Sequence, residues 1–265
     1  TKIFSALPFG NDVFNKAEGV FMYTSKGKKI LDFTGGLGVL GLGHNHPKIL
    51  KARLDFQANK KVEVHKIIFS KYMAALSNNL SYLLPENLKK SFFLNSGAEA
   101  VEAAIKVCFK SFSKRRKYIL YSDRSYHGKL IGSGSISGSY YKENQFPKME
   151  NCVMYKFNDI KDIEDKIKKF SENGGIYTII IEPFSASTLE PTSKEFMEKL
   201  FNLKKNYNFK IIFDEVFTGF YKSEKMFCFQ TFDEKIPDVL CLSKTLGGGK
   251  SSISSLIIDD DTYKS

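Results

Sequence analysis

Tyr177-Thr178-Ile179-Ile180-Ile181-Glu182-Pro183 is a nearly continuous apolar run that breaks off at an acid and a proline. Such a run fits a strand of a parallel sheet that is covered on both faces. Ile211-Ile212-Phe213-Asp214-Glu215-Val216 repeats the pattern. Further strand candidates lie at Ser91–Leu94, Tyr118–Tyr121, Val153–Tyr155, Val239–Leu242 and Ile253–Ile258, with helical periodicity near 97–111, 159–171 and 193–207. Short apolar runs alternating with longer periodic stretches predict an α/β domain. The first ninety residues differ. Lys29-Ile30-Leu31-Asp32-Phe33 reads as a strand of a small sheet, followed by glycine-rich turns and by helices from Pro47 and from about Ser70. The expected division is a small-lobe segment at 1–65 and a large domain at 66–265.

Composition narrows the function classes. The 265 residues, 42% hydrophobic and 26% charged, describe a soluble globular protein. They contain neither an apolar run of the roughly 18 residues a membrane span needs nor a signal-peptide pattern. The four cysteines, Cys108, Cys152, Cys228 and Cys241, are scattered, which predicts a reduced, cytoplasmic setting without zinc or disulfides. A net charge of +11 raises the possibility of nucleic acid, but only four of the 40 basic residues are arginine, the usual reader of bases and phosphates. The densest cluster, Lys114-Arg115-Arg116-Lys117, falls where a helix should end and cations favour the macrodipole. A lysine-rich solvated surface is therefore expected, with no nucleic-acid partner.

Ligands of open parallel sheets gather beyond the carboxyl ends of the strands. Asn95-Ser96-Gly97, Glu182-Pro183, Asp214-Glu215 and Ser243-Lys244 each follow a strand candidate directly. Lys244 sits in Leu242-Ser243-Lys244-Thr245-Leu246-Gly247-Gly248-Gly249, a corner that leaves little room for a surface role. A lysine able to shed its proton and form a Schiff base, paired with a carboxylate able to hold a pyridinium, is what pyridoxal 5'-phosphate chemistry asks of a protein. Asp214 alone could simply cap the next element; beside Lys244 it is read as the partner of the pyridine nitrogen, with Val216 against one ring face. Ser96-Gly97-Ala98 offers N–H groups and a hydroxyl to a phosphate at a helix start, its plainer reading being an N-cap. Tyr126 in Tyr126-His127-Gly128 could stack on the second ring face, a core tyrosine being the plainer reading. Gly248-Gly249-Lys250-Ser251 fails as a nucleotide loop, because the glycine required five residues before Gly249 is Lys244 and a strand follows. His44-Asn45-His46-Pro47 is read as a helix start rather than a metal site.

These residues resemble the class III pyridoxal-phosphate aminotransferases, the group that includes ornithine, acetylornithine and 4-aminobutyrate aminotransferases. The resemblance runs from about Ala17 onward. It includes Leu31-Asp32-Phe33 through Gly43-His44-Asn45-His46-Pro47, Asn95 to Ala100, Tyr126-His127-Gly128, Ile181-Glu182-Pro183, Asp214-Glu215-Val216 with Thr218-Gly219, and Ser243-Lys244 with Gly247-Gly248-Gly249. It implies the fold-type I architecture, with a mostly parallel seven-stranded sheet and helices on both faces. It also implies a homodimer with interfacial active sites and Lys244 as the Schiff-base lysine. His127, Glu182, Phe217 and Ser243 join the cofactor-binding set on the same ground.

Departures from the family pattern bear on the substrate. Lys129 stands where members often carry a carboxylate-binding arginine, and lysine cannot make the bidentate fork. Phe217 stands where many have a glutamine near the cofactor's phenolic oxygen. Lys222-Ser223-Glu224-Lys225 replaces Arg-Thr-Gly-Lys, and Lys250-Ser251-Ser252-Ile253 replaces a proline-containing strand. The sequence ends 21 residues past Lys244 (265 − 244), where members continue into a lobe bearing another carboxylate-binding arginine, so a C-terminal lobe is expected to be missing. The expected activity is amino transfer from a small amino donor to an oxo acid or aldehyde. The alternatives are another reaction of the same cofactor, such as an aminomutase or epimerase, or a scaffold protein without turnover.

Overall fold

The structure is a computed structural model that describes residues 12–63, 67–113, 115–138, 147–233 and 235–265. The chain divides into two compact units, Thr1–Glu63 and Val64–Ser265. In the first, β1 (Phe14–Glu18), β2 (Phe21–Thr24) and β3 (Lys29–Leu31) form an antiparallel meander. A short turn, α1 (Gly35–Gly38), and the helix α2 (Pro47–Ala58) follow, with Pro47 at the first position of α2.

The second unit is built on seven strands: β4 (Leu88–Leu94), β5 (Tyr118–Ser122), β6 (Cys152–Tyr155), β7 (Ile176–Ile181), β8 (Lys210–Asp214), β9 (Val239–Leu242) and β10 (Ser254–Asp259). Their order across the sheet is β4-β10-β9-β8-β7-β5-β6. The block from β9 to β6 is parallel, while β10 runs antiparallel to both of its neighbours. The sheet is thus mostly parallel, with one reversed strand that the apolar run at 253–258 did not betray. Since β10 opposes both β4 and β9, those two strands point the same way. The carboxyl ends of β4, β5, β7, β8 and β9 therefore share one edge.

Strand side chains alternate between two separate cores. Ile179, Ile181, Ile211, Phe213, Leu240 and Leu242 face one layer, which holds α3 (Lys71–Leu83), α6 (Ile160–Glu172) and α7 (Lys194–Tyr207). Tyr177, Ile180, Ile212, Val239 and Cys241 face the other, filled by Ala100, Val101, Ala104, Ile105 and Cys108 of α4 (Gly97–Ser111). The small residues on α4 let the helix lie close to the sheet. Four of the longer helices start on side-chain caps: Ser70 for α3, Ser96 for α4, Asp159 for α6 and Ser193 for α7. Two short helices, α5 (Ile131–Ser135) and α8 (Asp260–Lys264), complete the unit.

One arginine of the basic cluster reaches beyond the helix it follows. Lys114 lies outside the described residues. Arg116 Nη1 donates to the carbonyls of Tyr207 and Asn208 at the end of α7 and to Ile176 at the start of β7. Its guanidinium also lies over the Phe112 ring, 4.1 Å from the centroid.

Phe213, fully buried beside Phe201 and Phe229, sits one residue before Asp214. Truncating Phe213→Ala removes a large side chain from a packed layer and is expected to cost about 3–5 kcal/mol. A urea unfolding series on the variant and the parent chain measures it.

Candidate functional site

Asp214 closes β8 with its side chain only 4% exposed. A carboxylate so far from water needs partners, and among the described residues it has two. Its Oδ2 lies 2.7 Å from His127 Nδ1, and its Oδ1 accepts a bond from the Val216 amide at 3.0 Å. With Asp214 ionised, Nδ1 is the donor of that pair. His127 Nε2 is buried and has no hydrogen-bond partner among the described residues.

The segment carrying His127 is fastened from below by Glu182, at the end of β7. Glu182 Oε2 accepts from the Tyr126 amide at 2.8 Å and Oε1 from the Ala186 amide at 3.1 Å. Burial, helped by Asp214 and opposed by His127, pushes this carboxyl up to about 7. The His127 amide in turn donates to Ser137 Oγ at 2.8 Å.

Lys244 begins the one-turn 3-10 helix Lys244–Gly247 after β9. Its φ of 48° is left-handed, an uncommon conformation for a residue with a side chain. Its ammonium stands 4.7 Å from the centre of the Phe217 ring. Burial lowers the proton affinity of Lys244, while Asp214 and Glu182 raise it. Ser243, just before it, donates to the Ile253 carbonyl at 2.9 Å and so ties the end of β9 to the approach of β10.

Ser96 is the N-cap of α4 in a full capping box. Its Oγ accepts from the Glu99 amide at 3.2 Å, while Glu99 Oε2 accepts from the Ser96 and Asn95 amides at 2.9 and 2.8 Å. The plainer reading of this turn holds, since the hydroxyl caps; the Gly97 and Ala98 amides lie in the first turn, where helices have unused donors. Gly97 is required by close approach. A Cβ there would come within 2.7 Å of Val216 Cγ1, so the start of α4 packs directly on the loop after Asp214. Gly128, at φ 129°, presses on Ala98 in the same way, where a Cβ would meet the alanine methyl at 2.6 Å.

Asp214, His127, Glu182, Lys244, Val216, Phe217, Gly97 and Ala98 are thus joined by contacts or charge at the carboxyl edge of five strands. Tyr126 is half-buried and enters through its backbone. Lys129 is exposed. Two residues without an assigned part in the sequence reading also belong here. Glu215 is fully buried and accepts from the Cys228 and Phe229 amides, both at 2.7 Å, which locks the 3-10 turn Cys228–Phe232 behind the site. Lys222 Nζ donates to Thr245 Oγ1 at 2.5 Å, next to Lys244; burial, and then the charge of Lys244, lower its proton affinity. Neither shows a periodicity that could have revealed it.

Residues 9–265 match the class III aminotransferases. The chain belongs to that family. It is 33% identical to the acetylornithine aminotransferase of Clostridium acetobutylicum over 95% of this chain and 66% of that protein. It is 28% identical to ornithine aminotransferase 1 of Staphylococcus aureus over 95% of this chain and 64% of that protein. Among solved structures it superposes on the taurine:2-oxoglutarate aminotransferase of Bifidobacterium kashiwanohense, crystallised with PLP and glutamate, with a TM-score of 0.89, 22% identity, and coverage of 99% of this chain and 63% of that one. The adenosylmethionine-8-amino-7-oxononanoate aminotransferase of Methanocaldococcus jannaschii gives 0.88 at 26% identity, covering 96% of this chain and 61% of that one. This class III chain therefore spans between three fifths and two thirds of the length of these relatives.

The residues present fit a pyridine-ring cofactor with a phosphate arm. Asp214 has lone-pair capacity beyond its two bonds, His127 holds a ring nitrogen without a partner among the described residues in the same cluster, and Lys244 is a half-buried amine of lowered proton affinity.

Glu215 supplies a prediction about pH. Burial pushes it up to about 7 from an ordinary 4.5. Between these values the folded state keeps the proton that the unfolded state gives up, so stability falls as pH rises from about 4.5 to 7 and levels off above. Urea midpoints at pH 5 and pH 8 should differ, and Glu215→Gln, which cannot ionise, should shrink the difference.

Proposed function

We propose that this chain is the cofactor-binding part of a pyridoxal 5'-phosphate-dependent aminotransferase. The observation that carries the reading is the meeting of Lys244 with the His127–Asp214 pair at the carboxyl edge of the sheet. Lys244 is the Schiff-base lysine and afterwards moves a proton at the substrate α-carbon through its Nζ. Asp214 holds the pyridine nitrogen protonated, and His127 orients the Asp214 carboxylate. When bound, the cofactor supplies the electron sink for bond cleavage at the α-carbon. Val216 and Tyr126 cover the ring faces, Phe217 and Ser243 flank the lysine, and Ser96, Gly97 and Ala98 take the phosphate. Glu182 holds the Tyr126–His127 segment in place.

The substrates are a small amino donor and an oxo acid or aldehyde acceptor. Lys129 meets the donor carboxylate as a point charge, which makes for a weaker clamp than arginine. Large apolar side chains left exposed, Phe69, Tyr82 and Ile131 among them, support a homodimer. The division of labour follows the two compact units, with the large one carrying the cofactor. No helix among the described residues is long and apolar enough to cross a membrane, and the setting proposed is the cytoplasm.

Borohydride reduction of the cofactor-loaded protein should add the cofactor's mass to the peptide containing Lys244 and to no other. Label on another lysine sinks the assignment. Asp214→Asn should leave cofactor bound and fold intact but lower turnover about 10²–10³-fold, as expected when one charged partner of a dry site is neutralised. Single-turnover spectra with an amino donor provide the measurement, and near-normal rates would remove Asp214 from the electron-sink role.

A further inference from the structure

The segment from Ser125 to Gly138 carries His127 and Lys129, and its neck is stitched by two buried hydroxyls. Ser125 Oγ accepts from the Gly138 amide at 3.3 Å, and Ser137 Oγ accepts from the His127 amide at 2.8 Å. A backbone amide out of water needs an acceptor. For His127 that acceptor is a side chain ten residues away.

The same hydroxyl has one proton to give. Two carbonyls compete for it, Ser133 at 2.9 Å and Gly128 at 3.2 Å. The shorter contact leads to Ser133, whose own amide donates to Glu102 Oε1 at 2.7 Å. Beside that bond Gly132 leaves room for the carboxylate, since a Cβ there would meet Glu102 Oε2 at 2.6 Å. Glu102 lies on α4, the helix whose first residue, Gly97, abuts Val216. The Val216 amide returns to Asp214, and Asp214 is bonded to His127. The contacts thus close a circuit, from His127 through Ser137, Ser133, Glu102 and α4 to Val216, Asp214 and back. In a closed circuit each contact is kept in place by the others, so the imidazole cannot drift without breaking a second bond.

We propose that Ser137 is a positioning residue of the site: its hydroxyl seats the His127 backbone so that Nδ1 stays on Asp214. The Asp214 carboxylate tolerates burial only while its donors are in place, and the Val216 amide does not by itself bring His127 to it. Removing the Ser137 hydroxyl takes this acceptor from the His127 amide and opens the circuit. The inference deepens the proposed function, since it rests on the reading that His127 orients Asp214. Its test needs no bound cofactor. Failure of the functional reading shows as borohydride label on a lysine other than Lys244, and failure of this inference shows in the state of the His127–Asp214 bond.

The test is nuclear magnetic resonance on the chain labelled with ¹⁵N-histidine and without added cofactor, reading the Nδ1–H signal of His127 and its exchange with water. The chain has four histidines, and His127→Asn identifies the signal by its loss. Ser137→Ala is compared with Ser135→Ala. Ser135 is a buried hydroxyl of the same segment, bonded to the Ile131 carbonyl and the Met149 amide, and it lies outside the circuit. The expected result is exchange faster by about tenfold or more in Ser137→Ala, with parent-like exchange in Ser135→Ala. Parent-like exchange in Ser137→Ala overturns the proposal, as does an equal effect of Ser135→Ala or a parent chain with no Nδ1–H signal from His127. Should Ser137→Ala not fold, Glu102→Ala opens the circuit further along. Faster exchange of the same proton then supports the proposal, and unchanged exchange overturns it.

Discussion

The contact on which the site depends is the bond between His127 and Asp214, 2.7 Å long and almost fully out of water. A buried carboxylate is tolerable only when donors compensate the lost hydration. Here one donor is local, the Val216 amide, and the other comes from 87 residues earlier in the chain. That long-range donor forces the loop after β5 to meet the end of β8. Glu182 then fixes the same loop from the end of β7, and Gly97, at the helix start that follows β4, admits α4 against Val216. Four strand ends are registered to one another by a small number of polar and steric constraints.

The electrostatics of this edge are set by exclusion of water more than by net charge. The chain carries +11, yet around Lys244 the decisive partners are two acids, and burial still lowers the lysine's proton affinity. Glu182 and Glu215 lie side by side in consequence but not in function. One faces the site, the other pins the turn behind it, and both are pushed up to about 7 by the same loss of solvent.

Much of this was legible in the sequence because the signals were strong and local. The apolar runs ending at Ile181 and Asp214 became β7 and β8, and the N-cap read at Ser96 became part of a complete capping box with Glu99 opening α4. Lys244 stood out because a strand and three glycines enclose it. What stayed hidden was of another kind. Apolar periodicity says which face of a strand is covered but not which way it runs, so the reversal of β10 had no signature. β1, mostly exposed, has too little apolar alternation to announce itself. The engagement of His127 with Asp214 and the reach of Arg116 to α7 are meetings of distant segments, and no local pattern encodes them. Glu215 looks like any acid after a strand until the amides of Cys228 and Phe229 are seen to converge on it.

The reversed strand also has a bearing on how the chain is assembled. β4 touches the rest of the sheet only through β10, which begins 160 positions after β4 ends (254 − 94). During synthesis from the amino terminus, β5 to β9 can pair among themselves while β4 must wait with its edge open. Closing so long a loop before any pairing rewards it is a slow step. Ser254 and Ser255, buried at the amino end of β10, therefore lie where the last seam of the domain is drawn shut.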